Sequence, residues 1–208
     1  MSALKYKNNM ATCNDKLAKG FLKKCGYKPK AGHSGKYYIN FDDIDRAATQ
    51  LANKNTKVTA IVLKTSAKIY PAEGAKLSKQ LHTFVESDFG DGYTHTDEFI
   101  VLYRGDIEKE NVQSLAEGTR VVTISKKLDG GLNGEITYEV AGLESGMKLK
   151  ADTYDSSANS GTATIQVATD EGAEATGLKT FLMNDEDDEA SLSATETWIT
   201  TNLWTPTP

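Results

Sequence analysis

The chain has 208 residues, of which 38% are hydrophobic and 25% charged. This composition supports the core of one domain of about 150 residues with additional arms, and it excludes a wholly disordered chain. It contains no run of about 18 apolar residues, which excludes a membrane-spanning helix, and no apolar leader, so we expect no signal peptide.

The net charge of -5 is distributed unevenly. Residues 1–36 carry nine lysines against Asp15, whereas residues 151–208 carry eleven acidic residues against Lys179. A basic head and an acidic tail attract each other, within one chain or between neighbouring subunits. Nucleic-acid binding by the basic part is a weaker interpretation, because the lysines are dispersed and no arginine precedes Arg46.

The two cysteines, Cys13 and Cys25, both lie in the basic part. Two thiols without a histidine at ligand spacing do not make a zinc site. We predict two reduced thiols, with a disulfide or a shared metal as alternatives, and we expect no cofactor.

The sequence divides into a basic N-terminal arm, residues 1–35, and a single β-rich domain, residues 36–208. Within the arm, residues 15–24 have a short helical pattern, and the arm is expected to become ordered against a partner. β-Branched, aromatic and alternating patterns predict strands in the domain. In chain order these are residues 36–41, 57–63, 68–71, 81–86, 96–104, 120–125, 135–142, 147–153, 162–168 and 178–183.

Two helices are predicted between these strands. Asp42 and its acidic neighbours are expected to cap a short helix that runs to Leu51. The clearer helix, residues 107–117, is expected to be capped by Asp106 and ended by Gly118. Its predicted packing residues are Ile107, Val112, Leu115 and Ala116. Residues 191–203 are expected to end the fold, with Leu192, Trp198, Ile199 and the adjoining Trp204 as anchors.

The strand predicted over residues 96–104 is apolar on both faces, so we expect it to be buried between layers. Short turns and antiparallel connections favour an antiparallel β-sandwich or a partly closed barrel. The predicted fold class is therefore mainly β, with one flanking α-helix.

The sequence gives little support for a catalytic function. His82 and His95 would face each other if residues 81–96 form a hairpin, with Asp97 nearby, and a hydrolytic or metal site is conceivable there. Histidines on a hairpin are more often polar residues of a surface or an interface, however, and no nucleophile, zinc or phosphate-loop motif occurs. Asp42, Asp43 and Asp45 lack the glycine and terminal glutamate of a calcium loop. We predict that the protein is not an enzyme.

The order of elements resembles the tail tube and tail ring structural proteins of bacteriophages, more narrowly those of Bacteroidales, including crAss-like phages. The residues that carry this resemblance are the cysteines flanking Gly20 and the segments 26–32, 37–45, 115–122 and 138–147. The resemblance implies a virion structural protein that forms a ring, six-fold or of another symmetry, in a tail assembled in the host cytoplasm. It implies joined inner sheets around a channel for DNA, with further tail, neck or baseplate proteins as partners and no membrane anchor.

Two surfaces are predicted for such a ring. Because a DNA channel should not hold phosphate, acidic strands suit its lining, and the candidates are Glu135, Thr137, Glu139 and Asp152. The subunit interface is expected to join arm lysines to acids of an adjacent subunit. Its candidates are Lys23, Lys24, Lys28, Lys30, Asp185, Glu186, Asp187, Asp188 and Glu189.

Two alternatives remain open. One is a neck or head–tail connector component. The other is a capsid-decoration or carbohydrate-binding β-sandwich, which should expose clustered aromatic residues. Tyr37, Tyr38, Tyr93 and Tyr103 are expected to be buried on strand centres, which disfavours this second alternative.

Overall fold

The computed structural model describes residues 17, 20, 21, 25–73, 78–88, 90–157, 159–184 and 189–205. Within these ranges the chain forms strands and two α-helices. In chain order they are β1 His33–Asn40, β2 Gln50–Ala52, β3 Lys57–Ala60, β4 Tyr70–Pro71, β5 Lys79–Val85, β6 Gly92–Val101, α1 Asp106–Ala116, β7 Val121–Lys127, β8 Tyr138–Ala141, β9 Lys148–Tyr154, β10 Ala163–Ala168, β11 Lys179–Phe181 and α2 Leu192–Asn202.

The strands form two sheets. The large sheet has seven strands in the order β2-β3-β11-β8-β7-β1-β4, and the small sheet has four in the order β5-β6-β10-β9. All neighbouring strands run antiparallel except β3 and β11, which are parallel. The predicted mainly β sandwich with a flanking helix is confirmed, but the expectation of only antiparallel pairs is wrong.

The large sheet is the middle layer of the fold, because both of its faces are covered. Alternate residues of a strand point to opposite faces. On β7, Val122 and Ile124 belong to a core shared with α2, whereas Val121 belongs to a second core shared with the small sheet. The α2 side is mainly apolar: Phe181 is 1% exposed and packs edge-on against Trp198, with ring centroids 5.4 Å apart.

The second core fills the space between the two sheets. Ile165 and Val167 of β10 meet Met147 and the large sheet there, and Val112 and Leu115 of α1 pack against it. The apolar part of this interface is small, because polar side chains occupy the rest of the layer.

The second helix, α2, was not anticipated. Its sequence contains many threonines, which have modest helix propensity. The helix begins because the Ser191 side chain accepts a hydrogen bond from the Ala194 amide at 3.3 Å. Burial of Thr195 and Ile199 then holds one face of the helix against the large sheet.

The helix predicted over residues 42–51 is wrong. Only Phe41–Asp43 forms a short 3-10 turn. The Asp45 side chain accepts hydrogen bonds from the amides of Ala47 and Ala48, which closes a turn instead of starting a helix. The chain then enters β2, which pairs with β3.

Two details of the following segment also differ from the prediction. β6 ends at Val101, and Leu102 and Tyr103 are 51% and 74% exposed, so the expected burial of the strand's end is wrong. Helix α1 begins with Gly105 as its N-cap, and no side chain caps it. Ile107 is 66% exposed, so of the predicted packing residues only Val112 and Leu115 meet the core.

Candidate functional site

Both edges of the small sheet are strands of the same length. β5 and β9 each have seven residues, and they lie at opposite ends of the strand order. Each of the three pairs β5–β6, β6–β10 and β10–β9 is antiparallel. The two edge strands therefore run in opposite directions, so β9 of one copy can pair antiparallel with β5 of the next.

The register shows which backbone groups of β5 point outward. Tyr93 exchanges two backbone hydrogen bonds with Glu174, and His95 accepts one from the Thr169 amide, so these β6 residues face away from β5. Bonding direction alternates along an antiparallel strand, so the intervening β6 residues bond β5. The register then leaves the N–H and C=O groups of Gln80, His82 and Phe84 pointing away from β6.

The outward-pointing backbone groups of β9 follow from its register with β10. Thr153 and Ala151 lie opposite Thr164 and Gln166, the β10 residues that bond toward β9. The backbone groups of Asp152 and Tyr154 consequently point to the free edge. Their side chains hold Arg104, which lies 3.2 Å from the Asp152 carboxylate and 4.8 Å from the centroid of the Tyr154 ring.

The outer face of the small sheet combines hydroxyl and amide residues with the apolar Leu81, Val85 and Ile100 and with paired charged residues. Its residues alternate with those of the inter-sheet core, and they are half-buried or exposed. The hydroxyl and amide residues on this face are Thr83, Thr94, Thr96, Thr153, Thr164 and Gln166. The lysines have acidic neighbours: Lys79 lies opposite Glu98 across β5 and β6, and Lys148 contacts Asp170 at 2.7 Å.

The opposite face of the small sheet contributes to a buried polar layer, defined here as Lys36, Tyr38, Gln80, Asp97, Thr123 and Ser125. The Lys36 ammonium of β1 donates a hydrogen bond to the Asp97 carboxylate of β6, and both side chains are fully buried. Gln80 donates to Asp97 Oδ2 at 3.3 Å and to the Thr123 hydroxyl at 3.0 Å. The polar layer therefore links the two sheets where hydrophobic contacts would be expected.

His95 lies at the end of this interface and is held as a neutral ring. Its Nδ1 accepts a hydrogen bond from the Gly142 amide at 3.1 Å, and its Nε2 donates to the Thr176 carbonyl at 2.9 Å. Burial lowers the pKa of His95 to about 4. The imidazole thus fastens the β10–β11 connection to the large sheet without carrying charge at neutral pH.

Glu174 is the second buried titratable group of this connection. Its carboxylate accepts hydrogen bonds from the amide and the hydroxyl of Ser145, at 3.0 Å and 2.8 Å. Burial raises its pKa above the ordinary value. Next to it, Lys179 is fully buried and contacts Glu144 at 2.8 Å. These contacts are structural, and they join loops of the two sheets.

The predicted histidine hairpin is confirmed. His82 of β5 lies opposite His95 of β6, with ring centroids 6.4 Å apart. Asp97 follows on the same strand, but its carboxylate is taken by Lys36. Among the described residues, no three His, Cys, Asp or Glu side chains are grouped to hold a metal ion.

The four predicted channel residues do not share one surface. Glu139 lies on β8 and pairs with Lys127 at 2.9 Å, whereas Asp152 lies on β9 in the other sheet. Thr137 is 7% exposed, and its hydroxyl donates to the Gly134 carbonyl within a turn. Glu135 belongs to the same turn and accepts from the Asn133 amide. The strand predicted over residues 135–142 is thus only β8, and Thr137 is too buried to line a channel.

Most of the predicted interface residues lie outside the described residues. These are Lys23, Lys24, Asp185, Glu186, Asp187 and Asp188. Cys13 also lies outside the described residues, while Cys25 is exposed. Lys28, Lys30 and Glu189 are exposed. The arm meets the domain at Asp129, which accepts hydrogen bonds from the Tyr27 hydroxyl and the Lys30 amide. β1 begins at His33, within the last residues assigned to the arm.

The aromatic residues are more exposed than predicted. Tyr103 is 74% exposed, and Tyr37, Tyr38 and Tyr93 are half-buried. The described part of the chain contains no helix that is long and apolar enough to cross a membrane. No family model, curated protein or solved structure matches the chain.

Proposed function

We propose that this protein is a virion structural subunit that forms a ring of a phage tail or tail tube around a channel for DNA. The observation that carries the proposal is the small sheet, whose edge strands β5 and β9 have equal length and opposite direction. Unpaired edges of this kind are liabilities that a protein removes by covering or pairing them.

The even number of strands lets the small sheet of one subunit continue into that of the next. Pairing β9 of one subunit with β5 of the next continues an antiparallel sheet, because four antiparallel strands place opposite directions at the two edges. This contact is heterologous, and it closes when the rotation between subunits divides a full turn. The product is a barrel with four strands from each subunit and no free inner edge.

The outer face of the small sheet is the surface that such a barrel would turn toward the channel. Its threonines and Gln166 offer hydrogen bonds to water, and its lysines have acidic neighbours. Lys79 faces Glu98, and Lys148 and Lys150 share Asp170. These carboxylates reduce the attraction of the lining for a polyanion, since phosphate binding depends on lysine and arginine. This proposal replaces the four acidic-strand candidates as the channel lining.

A second candidate function is a carbohydrate-binding module. It is favoured by Tyr70 and Trp204, which are 37% and 41% exposed and lie side by side with ring centroids 6.3 Å apart. Exposed aromatic rings can stack on apolar faces of ligands. A chain that stays monomeric and binds glycans in a screen would favour this function over the ring.

The ring is tested by substituting Phe84, whose amide points to the free edge of β5. Proline removes this amide donor and blocks edge pairing, while the β5–β6 bonds remain. The matched control is Phe84→Ala, which deletes the same exposed side chain but keeps the amide.

Light scattering and negative-stain imaging across concentrations provide the measurement. We expect rings or stacks with a central hole for the native chain and for Phe84→Ala, and monomers for Phe84→Pro. Rings that form equally well with Phe84→Pro would contradict assembly through β5, and a native chain that stays monomeric at every concentration would contradict the ring itself.

A further inference from the structure

The buried polar layer brings an amine and a carboxyl group together from opposing sheets. Lys36 lies on β1 of the large sheet and Asp97 on β6 of the small sheet, 61 residues later. The two side chains contact each other directly, and neither has any exposed surface. Each is therefore held with its polar end against the other, and the Lys36 Nζ lies at Oδ1 of the carboxyl group that it would attack.

The surroundings shift both groups in the direction of their uncharged forms. Burial lowers the pKa of Lys36 and raises the pKa of Asp97, and the attraction between the two charges offsets only part of this effect. Transfer of one proton from the Lys36 ammonium to the Asp97 carboxylate gives an amine and a carboxylic acid in contact, and these are the reactants of amide formation. Enforced proximity supplies much of what such a reaction needs.

The neighbouring groups fit this chemistry. The Gln80 amide donates to Asp97 Oδ2, the oxygen that would carry negative charge when the carboxyl carbon is attacked. The hydroxyls of Tyr38 and Ser125 and the amide oxygen of Gln80 are buried without a hydrogen-bond partner among the described residues. Tyr38 and Ser125 lie on the same face as Lys36, and they could hold a released water molecule.

We propose that Lys36 and Asp97 join in an intramolecular isopeptide bond that links the two sheets covalently. The Lys36 ammonium passes one proton to the carboxylate, and the neutral Nζ attacks the carboxyl carbon of Asp97. The new N–C bond forms as the C–Oδ1 bond breaks. Oδ1 leaves as water with two protons from Nζ, and the nitrogen keeps the third. No oxidant, reductant or further reactant is needed.

The bond would make the sandwich resistant to separation of its layers. The inter-sheet core is small, and a secondary amide replaces two buried charges with one neutral group whose desolvation cost is lower. The bond lies within one chain, so its formation does not require a ring.

Intact mass spectrometry of the denatured full chain tests the proposal. The expected mass lies about 18 Da, one water, below the mass of the sequence. Fragmentation should yield one branched peptide that joins the segment of Lys36 to the segment of Asp97. A folded native chain with the unchanged sequence mass would overturn the proposal. This measurement requires no variant.

Three variants sharpen the result. Lys36→Met and the double variant Lys36→Met with Asp97→Leu should each show no deficit from its own sequence mass, and the double variant leaves no unpaired charge. Asp97→Asn offers a different leaving group, so its deficit should be about 17 Da, one ammonia. A deficit of one water that persists in Lys36→Met would place the reaction elsewhere in the chain and would also overturn the assignment.

Discussion

The two faces of the large sheet differ in what they bury. Toward α2 the sheet buries an apolar core that includes Ile124, Val140 and Phe181. Toward the small sheet it buries the polar layer and His95 next to a smaller apolar cluster. Apolar burial stabilises without regard to orientation, whereas buried hydrogen bonds and charges penalise any misalignment. We infer that the α2 side supplies most of the stability and that the inter-sheet side fixes how the small sheet is presented for assembly.

The largest expected loss of stability comes from a substitution in the core between the large sheet and α2. Phe181→Ala removes a ring that is 1% exposed and packs against Trp198, so it should lower the free energy of unfolding by about 3–5 kcal/mol. Denaturant unfolding measures the change, and Phe84→Ala on the exposed edge is the control for loss of a phenyl ring. A loss below about 1 kcal/mol would contradict the assignment of the main core to this side.

The next prediction concerns the pH dependence of stability, which depends on titratable groups buried between the two sheets. The pKa of His95 is about 4 in the folded state against an ordinary value of 6.5, so the unfolded chain takes up the proton first. Stability from the neutral ring is present above pH 6.5 and is lost as the pH falls toward 4, by up to about 3 kcal/mol. Glu174 acts in the opposite direction, because its raised pKa relieves a burial cost on acidification.

Urea midpoints measured from pH 7 to pH 4 test this sign. His95→Gln keeps a donor and an acceptor but cannot titrate, so its stability should be lower at pH 7 and should vary less over the same range. A variant that keeps the full pH dependence of the native chain would assign the acid sensitivity to other groups.

The smallest effect concerns the start of α2. Ser191→Ala removes the side chain that accepts from the Ala194 amide, and it should lower the free energy of unfolding by about 1 kcal/mol. Ser193→Ala is the matched control, because Ser193 is exposed in the first turn. Equal effects of the two substitutions would show that the cap does not determine where α2 begins.

Much of the fold was predictable because its signals are local. The alternation around β9 and the β-branched run of β7 gave strands close to the observed bounds, and Gly118 ends α1 at a positive φ of 108°. Helix α2 was missed, since its threonines suit a strand equally well and its stability comes from the Ser191 cap and the burial of Ile199. The helix predicted at Asp42 failed because Asp45 closes a turn.

The candidate sites were harder to predict for a physical reason. His82 and His95 could be paired from the sequence, because a hairpin brings nearby segments together. The contact of Lys36 with Asp97 depends on how two sheets stack, and no local pattern encodes it. The same holds for the free backbone groups of β5 and β9, which follow from strand order and register and not from side-chain type.

Backbone amide hydrogen exchange on assembled and dissociated protein tests the central claim most directly. We predict that β5 and β9 become protected on assembly, with the gain on β5 concentrated at Gln80, His82 and Phe84. β2 and β4, the edges of the large sheet, should exchange at the same rate in both states. Assembled particles in which β5 and β9 exchange as fast as in the free subunit would contradict a ring built by joining the edges of the small sheet.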